Sequence, residues 1–196
     1  DIELNASTLV PRPETELLVE TALDAIPAGT AVEIADLGTG SGAIALALAA
    51  ERPLARITAT DINPDALSQA RQNASRLGLA IHFEEGDWFG PLAGRRFDII
   101  VSNPPYIADA TWESLDASVR DHEPPGALRG GPDGLGCIRS ILGDVDGFLS
   151  SGGLFVLEVG DDQAEEVLRM GSELGPSRIQ RDAFGDERVL VIDRSE

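Results

Sequence analysis

The chain has 196 residues, 42% of them hydrophobic, which predicts one globular domain with a sizeable core. Its 34 acidic residues outnumber its 15 basic residues, all of which are arginine, and the formal net charge of −19 argues against a large interface with DNA or RNA. The single Cys137 excludes an internal disulfide, and the longest apolar stretch is too short to span a membrane, so we expect a cytoplasmic protein without a signal peptide.

Apolar runs bounded by turn residues alternate with helical patterns along the chain. The apolar runs predict strands at residues 32–37, 56–60, 80–84, 97–102, 154–159, 178–181 and 188–193. Helices are predicted at residues 14–25, 43–50, 64–77 and 162–174, with Gly78 as the stop of the third. This order predicts an α/β fold, a three-layer sandwich with helices on both faces of a mostly parallel sheet. The link at residues 182–187 is too short for a crossover helix, so the last two strands should pair antiparallel.

Two segments interrupt the alternation. Pro11-Arg12-Pro13 is stiff and extended, and it fits either the plain start of the first helix or a flap folded over a ligand. We expect residues 1–30 to form an N-terminal flap and helix packed on a catalytic domain of residues 31–196. The long stretch at residues 104–152 separates the fourth and fifth strands and is expected to bind substrate. A turn at Ser151-Gly152-Gly153 is expected directly before the fifth strand.

A glycine-rich motif joins the first strand to its helix. Asp36 and Leu37 are followed by Gly38, Thr39, Gly40, Ser41 and Gly42. Glycines permit a tight turn and the close approach of a ligand, and exposed N–H groups at a helix start favour a negative group such as a carboxylate. Asp61 ends the second strand, where a carboxylate can accept hydrogen bonds from ribose hydroxyls. Together these residues predict a nucleoside-containing cofactor, and the G-x-G-x-G spacing disfavours a dehydrogenase.

Two further candidate cofactor ligands follow the third strand. Asp87 can accept a hydrogen bond from an adenine amine, and Trp88 can stack on the ring or flank it. An ordinary core position is the alternative for Trp88.

The sequence Asn103-Pro104-Pro105-Tyr106 follows the fourth apolar run. Proline lacks the N–H that a sheet needs, so the strand stops there, at the edge where open α/β sheets bind ligands. The Asn103 side-chain oxygen and the Pro104 carbonyl oxygen can both accept hydrogen bonds from an –NH₂ group. We predict that they hold an amide or amino nitrogen, that Pro105 stiffens the turn, and that Tyr106 walls the substrate side chain.

With these motifs the chain resembles the HemK/PrmC family of release-factor glutamine methyltransferases, which are class I S-adenosylmethionine enzymes. The resemblance rests on ordered motifs at residues 11–16, 36–50, 86–89, 102–107, 122–124, 131–135 and 185–189. It implies a Rossmann-like fold with a seven-stranded, mostly parallel sheet and an antiparallel last strand. It also implies S-adenosyl-L-methionine as the cofactor and S-adenosyl-L-homocysteine as the product, with Asn103 contacting both cofactor and substrate.

The reaction and the partner also follow from the resemblance. It implies methyl transfer to the side-chain amide nitrogen of the glutamine in the Gly-Gly-Gln motif of class 1 peptide-chain release factors. Members of the family usually carry a small helical N-terminal domain that helps to hold the release factor, whereas this sequence starts at Asp1 without one. The insert departs from the family pattern at His122, where an aromatic residue is expected, and at Pro125, which follows Pro124.

Other functions stay open on the residues alone. The Asn-Pro-Pro-Tyr element also suits the exocyclic amine of a flipped adenine, although the net charge argues against the DNA-binding face of a DNA adenine methyltransferase. A methyltransferase for glutamine in a ribosomal protein would carry the same site, and a non-catalytic adenosine-binding module would share the glycine motif. The sequence has no His, Cys and carboxylate set with metal-ligand spacing. His82 is expected to be structural within the third strand, and His122 to be structural or to touch substrate.

Overall fold

A seven-stranded sheet forms the centre of the computed structural model, which describes residues 1–195. Its strands are β1 Glu33–Leu37, β2 Arg56–Asp61, β3 His82–Glu85, β4 Phe97–Ser102, β5 Leu149–Glu158, β6 Ser177–Arg181 and β7 Glu187–Asp193. They lie in the order β3-β2-β1-β4-β5-β7-β6. β7 runs antiparallel to β5 and β6, and the other strand pairs are parallel. The predicted α/β fold and the antiparallel pairing of the last two strands are confirmed.

The helices of residues 1–195 lie mostly where the sequence predicts them. The α-helices are α1 Thr15–Asp24, α2 Ala43–Glu51, α3 Pro64–Leu77, α4 Ala117–Arg120, α5 Gly136–Asp144 and α6 Ala164–Ser172. Short 3₁₀ turns occupy Gly90–Leu92, Asp109–Ser114, Pro125–Ala127, Val145–Gly147 and Asp161–Gln163. Within the same residues, no helix is both long and apolar enough to cross a membrane.

Alternating side chains on the strands divide the core into two layers. On β5, Leu154 and Val156 pack on the face that α1 and α2 cover, while Phe155 and Leu157 pack on the opposite face with residues of α5 and α6. β7 alternates in the same way. This period of two is the consequence of successive strand residues pointing to opposite faces, and it explains why both faces of the central strands are apolar.

Helix α3 shows how local signals set its bounds. The Asn63 side chain accepts a hydrogen bond from the Asp65 N–H at 3.0 Å, and Pro64 occupies the first helical position, where its missing N–H costs nothing. Gly78 takes a left-handed conformation with φ of 67° and ends the helix. The bounds of α3 and β4 are therefore those that the sequence predicts.

The structure corrects the prediction at β5. Because β5 begins at Leu149, the segment Ser151-Gly152-Gly153 lies inside the strand and is not a turn before it. Gly152 has φ of 80°, and the register of the pairing with β4 shifts in this segment. The strand therefore continues through an irregularity of the bulge type and does not end there.

Smaller corrections concern β3, α5 and α6. β3 begins at His82, two residues later than predicted, and His82 is an exposed residue that contacts Glu84. The first turn predicted for α6 is a separate 3₁₀ turn. Helix α5 lies inside the insert and was not predicted, although the spacing of Ile138, Ile141 and Leu142 carries a helical signal.

The carboxyl ends of the central strands lie level with one another. Leu37 of β1 pairs with Thr60 of β2 on one side and with Ser102 of β4 on the other. Ser102 in turn pairs with Leu157 of β5. The residues that follow these positions therefore meet at one edge of the sheet, next to the switch point between β1 and β4 where the strand order reverses.

A glycine in the insert holds the chain that follows β4. Gly134 has φ of 77°, and a Cβ atom there would lie 2.3 Å from the Tyr106 carbonyl oxygen. The same carbonyl accepts a hydrogen bond from Gln163 Nε2 at 2.8 Å, and the Gly130 N–H donates to the Ile107 carbonyl oxygen at 2.8 Å. The backbone at Tyr106 and Ile107 is thus clamped by Gly130, Gly134 and Gln163.

We expect Gly134→Ala to destabilise the protein by about 1–3 kcal/mol, because it combines a positive φ with backbone overlap. Chemical denaturation measures this change. Gly143→Ala is the matched control, since Gly143 lies exposed in α5 with nothing within 4 Å of a new Cβ, and it should stabilise by about 0.5–1 kcal/mol. Equal stability of the Gly134→Ala variant and wild type would contradict the clamp.

Candidate active site

The carboxyl edge of the sheet opens into a cavity of about 540 Å³, within the usual range of about 300–1,000 Å³ for small-molecule sites. It brings together most of the predicted site residues: Gly38, Thr39, Gly40, Ser41, Asp61, Asp87, Trp88, Asn103 and Pro105. Gly42, Pro104 and Tyr106, which were also predicted as site residues, do not line it. The strands β1, β2, β3 and β4 thus each deliver residues to one space.

Sequence reasoning missed part of the lining. Leu9, Ile62 and Cys137 face the cavity, as do Ser7, Pro11, Thr15, Asn63, Pro124, Ala127 and Ser140 among others. Ile62 and Asn63 directly follow Asp61, so their position in the chain could have indicated them. A flap within residues 1–30 and a substrate-binding stretch at residues 104–152 were expected, but which of their residues line the cavity depends on contacts that are distant in sequence.

A buried carboxylate organises the glycine-rich loop. Asp36 is fully buried, and its Oδ2 accepts hydrogen bonds from the Thr39 hydroxyl at 2.6 Å and from the Ala45 N–H at 3.2 Å. These bonds fold the loop around Asp36 and fix the start of α2. Burial is the main cause that raises the pKa of Asp36 to about 7, although the two hydrogen bonds act in the opposite direction.

Asp61 is fixed at the cavity by backbone groups on both sides. Its Oδ2 accepts from the Gly40 N–H at 2.8 Å, and its Oδ1 accepts from the Asn63 N–H at 2.9 Å. Burial raises its pKa, while these backbone bonds lower it. Each oxygen keeps acceptor capacity, because a carboxylate has about four lone-pair sites.

Trp88 combines backbone strain with close packing under the loop. It is the non-glycine residue with positive φ among those described, with φ of 42°. The Thr60 hydroxyl donates to its carbonyl oxygen at 3.0 Å, and its indole lies against Gly38, where a Cβ atom would be 3.0 Å from Cζ3. Strain of this kind clusters at ligand sites. Position 38 therefore requires glycine for two reasons: a side chain would crowd the Trp88 indole, and the φ of 70° is one that glycine adopts readily.

Asp87 and Cys137 both line the cavity. Asp87 is exposed, and Cys137 is partly buried. Burial and then the charge of Asp87 raise the pKa of the Cys137 thiol, so the thiolate is disfavoured there.

Asn103 is oriented by a buried hydrogen-bond chain. Its Nδ2 donates to the Thr15 hydroxyl at 3.1 Å, and that hydroxyl donates to Glu158 Oε2 at 2.8 Å. Among residues 1–195, no group donates a hydrogen bond to Asn103 Oδ1 or to the Pro104 carbonyl oxygen. The two acceptors that the sequence singles out are thus not used by the fold.

Tyr106 turns its hydroxyl away from the cavity lining. The hydroxyl donates to Glu158 Oε1 at 3.3 Å. Burial, together with the negative charge of Glu158, raises the pKa of Tyr106 above its ordinary value, so the phenol stays protonated.

The N-terminal segment is tied to both sides of the cavity. The Glu3 N–H donates to Asn73 of α3 at 2.8 Å, and Asn73 donates back to the Glu3 carbonyl at 2.9 Å. Farther along, Arg12 forms an ion pair with Glu123 of the insert. His122, next to Glu123, is exposed.

Comparison with known proteins agrees with this architecture. The Methyltransferase small domain family matches residues 13–120, so the fold and the glycine-rich site are those of a methyltransferase domain. A structure of a 16S rRNA methyltransferase from Thermus thermophilus with AdoMet and guanosine has the same fold, with a TM-score of 0.68 and 19% identity over 94% of this chain and 44% of that chain.

Two more similar proteins define the family. A release factor glutamine methyltransferase from Moorella thermoacetica is 43% identical over 100% of this chain and 71% of its own length. The crystal structure of a release factor-specific protein-(glutamine-N5) methyltransferase from Alicyclobacillus acidocaldarius is 30% identical, with a TM-score of 0.59 over 100% of this chain and 99% of that chain. The chain belongs to the release factor glutamine methyltransferase family.

The raised pKa of Asp36 predicts a pH dependence of stability. The folded state holds this proton more tightly than the unfolded chain does, so the contribution is full below the ordinary pKa of 3.8 and is lost as the pH rises through about 7. Asp36→Asn cannot ionise, and its melting temperature should fall less between about pH 5 and about pH 8 than that of wild type.

Two details make this measurement decisive. Asp61 and Glu158 also have raised pKa values, so the variant keeps part of the slope. Asp162→Asn removes an exposed carboxylate and should leave the wild-type slope. Identical slopes for Asp36→Asn and wild type would show that Asp36 does not titrate in this range.

Proposed function

We propose that this protein transfers a methyl group from S-adenosyl-L-methionine to the side-chain amide nitrogen of the glutamine in the Gly-Gly-Gln motif of class 1 peptide-chain release factors. One observation carries the proposal. Asn103 Oδ1 and the Pro104 carbonyl oxygen are two acceptors without protein donors among residues 1–195, beside a cavity with the glycine-rich loop and Asp61. This arrangement suits a nitrogen with two N–H bonds.

The cavity fits the proposed cofactor. We assign Asp61 to the ribose hydroxyls, from which it can accept hydrogen bonds, and the loop Gly38 to Gly42, which leads into the start of α2, to the carboxylate of the methionine part, because N–H groups at a helix start favour a negative group. We assign Trp88, Ile62 and Asp87 to the adenine side, two apolar groups and one acceptor. When bound, S-adenosyl-L-methionine supplies a methyl group activated by its sulfonium and leaves as S-adenosyl-L-homocysteine.

The protein contributes position and charge stabilisation. A carboxamide nitrogen is a weak nucleophile because its lone pair is delocalised, so its orientation matters greatly. Asn103 Oδ1 and the Pro104 oxygen each accept one N–H and thereby turn the face of the amide toward the methyl group, an effect worth up to several kcal/mol. They also stabilise the partial positive charge that develops on nitrogen. The methylated nitrogen is acidic and loses its proton to water, so no dedicated base is required.

The remaining segments are assigned to substrate handling. We propose that residues 1–30 form an N-terminal flap and helix, with the flap over the cofactor, because Ser7, Leu9 and Pro11 line the cavity while Arg12 binds Glu123 of the insert. Residues 104–152 would hold the release factor, with Pro105 shaping the turn and the Tyr106 ring walling the glutamine. The net charge of −19 disfavours direct binding of nucleic acid.

The reaction itself is tested with methyl-labelled S-adenosyl-L-methionine. The protein is incubated with a purified class 1 release factor, and in parallel with duplex DNA and with ribosomal proteins. Mass spectrometry should place the label on the glutamine of the Gly-Gly-Gln motif, and a release factor with that glutamine replaced should stay unlabelled. Labelling of DNA or of a ribosomal protein alone would refute the proposed substrate.

Asp61→Ala should weaken cofactor binding by about 1.5–3 kcal/mol, the usual size for hydrogen bonds to a charged group. Isothermal titration calorimetry with S-adenosyl-L-homocysteine measures the change. Asp65→Ala is a control, since Asp65 lies nearby in α3 but does not line the cavity. An unchanged affinity of the Asp61→Ala variant would reject its ribose assignment.

Asn103→Ala should lower kcat by about 10²–10³-fold, comparable to the loss of one preorganised hydrogen-bonding group at a reacting centre. Cofactor affinity should stay within about tenfold, or roughly 1.4 kcal/mol. Gln72→Ala removes an exposed amide from α3 and should retain full activity. Full turnover by the Asn103→Ala variant would rule out the positioning mechanism.

A further inference from the structure

The hydrogen-bond chain behind Asn103 has a direction that chemistry fixes. Glu158 is 1% exposed and Thr15 is 8% exposed, so water does not compete freely for either side chain. A carboxylate has no proton to donate, and the Thr15 hydroxyl has only one. The hydroxyl therefore donates its only proton to Glu158 Oε2, at 2.8 Å. Toward Asn103 it can only accept a hydrogen bond.

This direction selects one of the two orientations of the Asn103 amide. Only the Nδ2 group can donate to a lone pair of Thr15, and the Nδ2 to Oγ1 distance is 3.1 Å. The side-chain amide is planar, so fixing Nδ2 on Thr15 places Oδ1 on the other side. The opposite orientation would bring an oxygen to the lone pairs of Thr15 and would present N–H groups to the substrate –NH₂, which are also donors.

Hydroxyl donors meet both oxygens of Glu158. Burial is the largest cause of its raised pKa, and the charge of Glu14 raises the pKa further, while the hydrogen bonds from Thr15 and Tyr106 and the positive charge of Arg188 act in the opposite direction and favour the carboxylate. Tyr106 occupies Oε1 while Thr15 occupies Oε2, so both carboxylate oxygens act as acceptors. The network is internally consistent, because each donor meets an acceptor.

Strand register and α1 bring the three groups together. Ser102 pairs with Leu157, and therefore the next residues lie at the same level: Asn103 directly follows β4, and Glu158 is the last residue of β5. Thr15 is the first residue of α1, which packs on β5, so its hydroxyl reaches both side chains.

We propose that Thr15 is a positioning residue for the methyl transfer: its hydroxyl, committed to Glu158, holds the Asn103 amide with the oxygen toward the glutamine nitrogen. The catalytic role of Thr15 in this inference rests on the proposed function. The orientation of Asn103 is a property of the protein alone, and it is tested without any substrate.

The first test is a side-chain NMR measurement on the free protein. The Asn103 Nδ2 signals are assigned by their loss in Asn103→Ala. Thr15→Val, which is isosteric but has no hydroxyl, should shift these signals and speed their hydrogen exchange, and Thr15→Ser should restore the wild-type signature. Signals that are unchanged in Thr15→Val would overturn the inference whether or not the enzyme methylates a release factor.

The second test is kinetic. Thr15→Val should lower kcat on the order of 100-fold through misplacement of the amide, with the Kd for S-adenosyl-L-homocysteine unchanged, and Thr15→Ser should recover most of the activity. In an Asn103→Ala background the same Thr15→Val change should have almost no further effect, because Thr15 acts through Asn103. A full additional loss in that background would assign Thr15 a direct contact and overturn the positioning role.

Thr21→Val is the matched control on the same helix. Thr21 is as buried as Thr15, and its hydroxyl bonds to Gln180 and to the Leu17 carbonyl, away from Asn103. This variant loses a buried hydroxyl of α1 yet should keep the Asn103 signals and kcat. An equal loss of kcat in Thr21→Val and Thr15→Val would show that the effect comes from the general stability of α1 and would contradict the inference.

Failure of wild type to label a release factor would instead refute the proposed function, and the NMR result would still decide the orientation of Asn103.

Discussion

The register of β1, β4 and β5 at their carboxyl ends determines the geometry of the whole site. Leu37, Ser102 and Leu157 are paired across three adjacent parallel strands. One residue farther along, the chain must leave the sheet, at Gly38 because of the glycine turn and at Asn103 because prolines follow. A shift of one residue in either pairing would move Asn103 to the other face of the sheet and separate it from the glycine-rich loop.

Buried carboxylates provide the second level of organisation. Asp36 holds the glycine-rich loop, and Glu158 holds Thr15 and Tyr106 around Asn103. Burying an acid costs free energy, which is why the pKa of each is raised, but each also accepts hydrogen bonds from nearby hydroxyls. These hydrogen bonds offset part of the free-energy cost of burial. They also fix the positions of the groups at the ligand site, and fixed groups stabilise developing charge better than groups that must reorient.

Structural features that depend on residues close together in the chain are predicted correctly from the sequence. Asn63, Pro64 and Gly78 define α3, and the prolines after Asn103 define the end of β4, so these bounds are predicted correctly. The glycine-rich loop, Asp61 and Asn103 were likewise indicated by local motifs, and the structure brings them to one cavity. Thr15 lies in the motif at residues 11–16, but neither its role nor that of Glu158 was predicted, because the two residues are 143 positions apart and only the fold brings them together. The start of β5 was missed for a related reason: the pairing of Leu149 with Phe97 extends the strand back through the irregular segment at Gly152.

The most direct measurement is a crystal structure of the protein with S-adenosyl-L-homocysteine and a release-factor peptide that contains the Gly-Gly-Gln motif. We expect the glutamine side-chain nitrogen within about 3.2 Å of both Asn103 Oδ1 and the Pro104 carbonyl oxygen, with Asn103 Nδ2 still bonded to Thr15. A glutamine amide bound outside the reach of these two oxygens, or Asn103 turned so that its Nδ2 faces the substrate, would contradict it.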